Sequence, residues 1–243
     1  MSGQETVNDI LNTVALEIGL SESADPVSDL DDTFVQLRGL LKSAGRELVR
    51  LNQWEILKEQ FEFTTDASEG VYALPSDFAY MIDQTGWDRL NDVRVAGPLS
   101  SQDWAYLEGR DLVSQSIYVS FQIYKGQLRV YPQPPPDGVP ISFYYISRNW
   151  VLDDDGETLK DAPTKGGDTV LYESILVTKF LKAKFLEAKG FDSSSARLEF
   201  ENMFLAIVGQ SVGAPILNAG RGRGGVHLLN SFYNTPDTRY GLS

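Results

Sequence analysis

The chain has 243 residues, 34 acidic against 21 basic side chains for a net charge of −13, 42% hydrophobic content and no cysteine. Such a composition is globular. It leaves no room for a disulfide framework or a thiolate metal site, and it argues against a surface that grips nucleic-acid phosphates, which takes Lys and Arg. No apolar run reaches the length that spans a bilayer, and the opening MSGQETVNDI has neither a basic flank nor an apolar stretch, so a soluble chain made inside a cell, with no membrane partner, is expected.

Val7, Ile10, Leu11, Val14 and Ile18 recur at helical spacing and Gly19 follows, which predicts a helix over 6–18. SESADPVSD is then a Pro-broken loop. A second helix opens at Asp31 and Asp32, with Thr33 and Gln36 spaced as a capping box. Its apolar seam Phe34, Leu37, Leu41, Ala44, Leu48 and Leu51 is expected to continue through Trp54 and Leu57.

From Phe61 the period changes to two. FEFTT alternates, YALPSDF reads as a strand broken by Pro75, and residues 117–146 read as three strands with turns at 125–127 and 132–138. Helical spacing returns after VLDDDGETLKDAPTKGG. Asp168 is placed as N-cap of a third helix that runs to Lys189 and stops at Gly190, with Lys179, Lys182, Lys184 and Lys189 favouring its negative end. A fourth helix starts after Asp192, with Ala196, Phe200, Met203, Phe204, Ile207 and Val208 on one face, and ends at Gly209, Gly213 and Pro215.

The expected fold class is therefore α+β: a four-helix bundle (1–60 and 168–212) with an inserted antiparallel β-rich unit (61–167) and an extended C-terminal tail (213–243). The tail has neither helical nor strand periodicity. From Val212 onward it holds Arg221, Arg223 and Arg239 against Asp237, so it carries about +2 while the rest carries about −15. It also spaces Leu228, Leu229, Phe232, Tyr233 and Tyr240 between flexible glycines. A segment of this kind cannot build its own core and orders on a partner, its arginines pairing with carboxylates and its apolar side chains filling pockets.

Chemistry-bearing patterns are few. His227 is the sole histidine, which removes His-pair zinc sites and leaves a contact role in the tail. Gly220, Gly222 and Gly225 match the dinucleotide fingerprint, but no strand precedes them and no helix follows. The run Asp153, Asp154, Asp155, Gly156, Glu157 lacks the alternate spacing of a calcium loop and reads as a solvated acidic turn. Asp77, Asp83, Asp88 and Asp103 are the carboxylates a glycosidase-like reading would need, and no sequence spacing fixes their separation. The aromatic residues Trp87, Trp104, Tyr106, Tyr118, Tyr124, Tyr131, Tyr144, Tyr145 and Trp150 fit core and interface better than a sugar platform. No catalytic residue, cofactor or metal is assigned.

The stretch LKSAGRELVRLNQWEILK followed by FEFTT, then GVYALPSDFAYMIDQTGWDR, GQLRVYPQPPPDGVPISFYYISRNWV across a Pro-rich turn, and LYESILVTKFLKAKFLEAKGFD before a Gly- and Arg-bearing end, resembles the head-to-tail adaptors of short-tailed bacteriophages, the tubular tail protein A-like family. The resemblance implies a structural ring, usually of twelve copies, at the head-to-tail junction of the virion. It would sit beneath the portal protein and hold the tail nozzle or another tail protein, with DNA passing through its channel without specific binding. It implies no enzyme and no cofactor, and a C-terminal tail that reaches the portal. The portal-contacting residues would then be Arg221, Arg223, His227, Leu228, Leu229, Phe232, Tyr233, Arg239 and Tyr240. The competing expectations are a cell-wall hydrolase and a carbohydrate- or receptor-binding tail module.

Overall fold

Helix α1 (Val7–Glu17) begins at Thr6, whose hydroxyl accepts from the Asp9 N–H while the Asp9 carboxylate accepts from the Thr6 N–H, a reciprocal cap that the sequence reading overlooked. The Val7 and Asn8 N–H groups donate to the Asp168 and Gly166 carbonyls at 2.8 and 3.1 Å, so a distant loop satisfies the first turn. The computed structural model describes residues 5–109 and 119–211.

Helix α2 (Asp32–Leu51) buries Phe34, Leu37, Leu41, Ala44 and Leu48 of the expected seam, while Leu51 at its end is exposed. Two details differ from expectation. The cap is Asp31, whose carboxylate accepts from the Thr33 N–H at 2.8 Å, because a charged acceptor suits the positive end of a helix better than a hydroxyl two residues further in. The helix also stops at Leu51 instead of running through Leu57. Asn52 turns extended, and Trp54 folds back so that its indole N–H donates to the Leu48 carbonyl at 2.6 Å, satisfying a group the helix end would leave open. A 3-10 turn, Glu55–Leu57, leads into the first strand.

The strands and one helix that follow are β1 (Lys58–Thr64), β2 (Val71–Ala73), β3 (Phe78–Met81), β4 (Trp87–Asp88), β5 (Val93–Arg94), α3 (Ser101–Gly109), β6 (Ser120–Tyr124), β7 (Gln127–Tyr131) and β8 (Pro140–Ser147). Central to the larger sheet is β8, which pairs along its full length with β1 and shares its other edge between β3 and β4; β5 extends the sheet beyond β4. A second sheet runs β2-β7-β6. Its β6–β7 hairpin closes through Lys125 and Gly126 at φ +51 and +74, the left-handed pair a two-residue turn needs. The expected turn is there.

What period-two alternation did not reveal is that β7 and β8, consecutive across the Pro-rich turn, are not partners. They belong to different sheets, whose inward side chains meet in one core of Val119, Phe121, Leu128, Val130, Ile141 and Phe143. Alternation shows that a strand has a buried face, not which strand lies beside it. Helix α3 was also unforeseen, since it buries only Trp104 and so carries almost no helical pattern.

A small sheet with β9 (Val151–Leu152) between β10 (Leu159–Lys160) and β11 (Thr169–Val170) returns the chain to the helices. Helix α4 (Ser174–Ala188) follows, then α5 (Ser194–Ser211), opened by Asp192, whose carboxylate accepts from the Ser194 N–H at 3.0 Å. Asp168 is not the cap of α4. That helix starts six residues later, after Glu173, because the intervening residues pair as β11.

The fold class is α+β, with antiparallel sheets and five α-helices among the described residues. It is not a closed four-helix bundle. Helices α1, α2 and α4 pack on one another, whereas α5 meets α4 through the stacked rings of Phe180 and Phe200 at 4.2 Å. The chain divides into two compact units, Met1–Phe204 and Leu205–Ser243, of which the second is described only in the last turns of α5.

Candidate interaction surfaces

The helical layer and the strands are joined by an aromatic column. Trp150, fully buried, stacks on Tyr172 at 6.1 Å; Tyr172 meets Trp54 edge-on at 5.3 Å, and Trp54 meets Phe204 at 6.0 Å. Gly45 of α2 makes this possible, since a Cβ there would lie 2.2 Å from the Trp150 ring. The Trp150 indole donates to the Asp161 carbonyl at 2.8 Å, and Tyr80 of β3 donates to the Val49 and Asn52 carbonyls at the end of α2. Each polar tip thus finds a partner.

Beside this column lies a charged cluster. Asp168 is fully buried and accepts from the Thr164 and Lys165 N–H groups at 2.7 and 2.9 Å and from Lys160 Nζ at 2.7 Å. Lys160 also pairs with Asp153 at 2.8 Å, and Lys165 with the other Asp153 oxygen at 2.8 Å. Burial works against the Asp168 charge, yet the Lys160 ammonium and the two N–H groups hold its carboxyl below the ordinary range; Lys160, then Lys165, do the same for Asp153.

The reading of 153–157 as a solvated turn holds for Asp154, Asp155, Gly156 and Glu157, which are exposed, and fails at Asp153. The chain does turn there, at Gly156 with φ +75, and Asp155 accepts from the Glu157 and Thr158 N–H groups. Asp153, however, faces inward and holds two lysines. Among the described residues no His, Cys, Asp and Glu cluster is arranged to hold a metal ion.

The α4 lysines, expected to complement the helix dipole, instead tie helices together. Lys179 reaches Glu17 at 3.2 Å and Glu199 at 3.3 Å, Lys182 reaches Glu17 at 2.9 Å, and Lys184 reaches Glu47 at 2.7 Å. Three of the four carboxylates singled out in the sequence have structural partners. Asp88 is buried and accepts from the Leu90 and Asn91 N–H groups, Asp77 accepts from the Tyr145 hydroxyl, and Asp103 closes the first turn of α3 with Ser100; Asp83 is exposed.

The aromatic residues do not form one platform. Trp104, Tyr145 and Trp150 are buried, Trp87 and Tyr131 are half-buried, and Tyr106, Tyr124 and Tyr144 lie exposed on α3, β6 and β8. Burial pushes the Tyr145 hydroxyl up, helped by Asp77, and burial alone does most of the same for Tyr172. Tyr118 lies outside the described residues.

The surface feature that sequence reading missed is a basic strip. Lys42, Arg46 and Arg50 project from α2 and, with Arg148, border adjoining depressions; the one between Arg46, Arg50 and Arg148 is about 310 Å³ and is floored by Val49, Phe78 and Ala79. Arg46 pairs with Asp161 at 2.7 Å, while Lys42, Arg50 and Arg148 have no carboxylate partner among the described residues. The strip's signal in the sequence is the four-residue repeat of Arg38, Lys42, Arg46 and Arg50, which runs beside the apolar seam.

A family model described as the SU10 adaptor protein matches residues 5–224, nine-tenths of the chain. The chain belongs to the SU10 adaptor protein family. Its role is structural, as an adaptor at the phage head-to-tail junction in the virion, and not that of an enzyme, a wall hydrolase or a receptor-binding module. No curated protein matches the chain. Of the residues assigned to portal contact, Arg221 and Arg223 fall within the stretch that matches the SU10 adaptor model. His227, Leu228, Leu229, Phe232, Tyr233, Arg239 and Tyr240 lie beyond it, and all nine are outside the described residues. One surface that the described part of this SU10 adaptor offers is the basic strip on α2.

Proposed function

We propose that this adaptor works as a homo-oligomeric ring of about twelve copies, a number taken from the resemblance of its sequence, seated between the portal protein and the tail nozzle or another tail protein. The match over 5–224 is the observation that carries this reading. In this arrangement the helices of 1–60 and 168–212 form the assembly core, 61–167 is the insert between them, and 213–243 is the arm that reaches the portal. The host cytoplasm is where the chain is made before assembly.

The arm contacts the portal through Arg221, Arg223, His227, Leu228, Leu229, Phe232, Tyr233, Arg239 and Tyr240. Charge opposes its own body, at about +2 against −15, which favours an acidic groove on the partner. The acidic body has a use of its own. A wall of negative sign repels phosphate, so DNA slides through a channel lined by such copies without adhering.

The test is removal of Ala219–Ser243. The shortened chain is expected to unfold at the same temperature as the full chain and to lose its place on the cognate portal, read by co-sedimentation and by imaging of the mixture. Undiminished portal binding by the shortened chain overturns the assignment of the arm.

A further inference from the structure

Leu30 is 87% exposed, the most open large apolar side chain among the described residues, and it stands in an acidic loop. Between Glu22 and Asp32 there are five carboxylates and no cation; Asp31 and Asp32, next to Leu30, are both exposed. The basic strip has the complementary make-up. Its floor of Val49, Phe78 and Ala79 is apolar, its volume of about 310 Å³ leaves ample room for a leucine side chain, and its rim carries Arg46, Arg50 and Arg148, with Asp161 paired to Arg46.

We infer that the Leu30–Asp32 loop of one copy docks into the basic groove of the next, Leu30 on the apolar floor and Asp31 and Asp32 against Arg50, Arg148 and Lys42. The loop cannot reach its own groove. Asp32 opens α2 and Arg46 lies on the same straight helix fourteen residues later, a separation of about 21 Å at the helical rise. A knob at one end of a rigid element and its hole near the other make a head-to-tail contact, the kind that generates a ring when the rotation closes. The inference rests on the ring reading above and adds which surfaces meet.

Because the chain has no cysteine, the contact can be trapped directly. Full-length protein carrying Leu30→Cys and Ala79→Cys together, oxidised mildly, alone or with portal, is expected to give a ladder of covalent multimers. Each single variant stops at monomer or dimer. Added to that pair, Asp32→Lys or Arg50→Glu lowers the cross-linked fraction by more than about tenfold, since like charges are then opposed, and mixing the two charge variants restores it.

Rings visible by imaging with no ladder above the single-cysteine controls overturn the docking mode and leave the ring standing. Absence of rings in every preparation, portal included, removes the ring reading and this contact with it. Retention of duplex DNA that Arg50→Glu abolishes, with cross-linking unchanged, assigns the groove to phosphate and overturns the contact between copies.

Discussion

Gly45 and Gly39 sit on the same helix and should respond to the same substitution with opposite sign. At Gly45 an added methyl meets the Trp150 ring at 2.2 Å, and that ring is fully buried with no space to retreat. Gly45→Ala is expected to destabilise by about 1–3 kcal/mol through overpacking. At Gly39 nothing lies within 4 Å of the new atom, so Gly39→Ala gains about 0.5–1 kcal/mol of helix propensity. Urea unfolding of the pair checks both, and a loss at Gly39 or no change at Gly45 contradicts the packing described. Asp168 gives a residue-scale prediction in pH. Its carboxyl is held below the unfolded value of about 4, so its contribution is complete above that pH and disappears as acid protonates it. Lys160 is raised, so its own contribution is complete at neutral pH and fades only in strong base. Asp168→Asn should therefore cost about 2–3 kcal/mol at pH 7 and flatten the decline in stability below pH ~4. A variant that loses stability in acid as steeply as the parent contradicts this.

At the scale of elements, legibility followed burial on one side. Helices α1 and α2 and the hairpin β6–β7 were visible because each has one wet face, and the alternation or heptad-like spacing records it. What stayed hidden was set by individual side-chain and sheet partners that no periodicity marks. The β7–β8 separation, the end of α2 at Leu51 and the inward turn of Asp153 depend respectively on a second sheet, on Trp54 and on Lys160 and Lys165. None of these leaves a local pattern. Asp168 shows the trap most directly: an Asp before an apolar run looks like a cap, and here it is the buried acceptor of a lysine while the helix starts later. The basic strip, by contrast, is legible as the four-residue repeat of Arg38, Lys42, Arg46 and Arg50. An exchange experiment follows from the sheet order. Amides of β8, paired on both edges, should be the slowest to exchange in the insert, and those of β2, paired only with β7, among the fastest. Equal protection of the two strands would contradict the pairing.

For the whole molecule the open question is which part of the arm supplies affinity, and the end of the family match at residue 224 divides it usefully. The proximal part holds Arg221 and Arg223; the distal part holds Leu228, Leu229, Phe232, Tyr233 and Tyr240. Guanidinium pairs at a wet interface are screened by salt and set approach and register, whereas aromatic and aliphatic anchors in closed pockets carry most of the energy of a contact. A chain ending at residue 224 keeps Arg221 and Arg223 and loses the anchors together with Arg239. It should bind the portal about a hundredfold or more weaker than the full chain, since a few anchors at about 2 kcal/mol each already exceed that. A full-length chain with Arg221→Gln and Arg223→Gln keeps the anchors and should lose less than about tenfold, with the deficit shrinking as salt is raised. Portal titrations at two ionic strengths decide between them. If the arginine variant is the weaker of the two, the arm is held by charge, and the acidic body would then compete with the portal for its own tail.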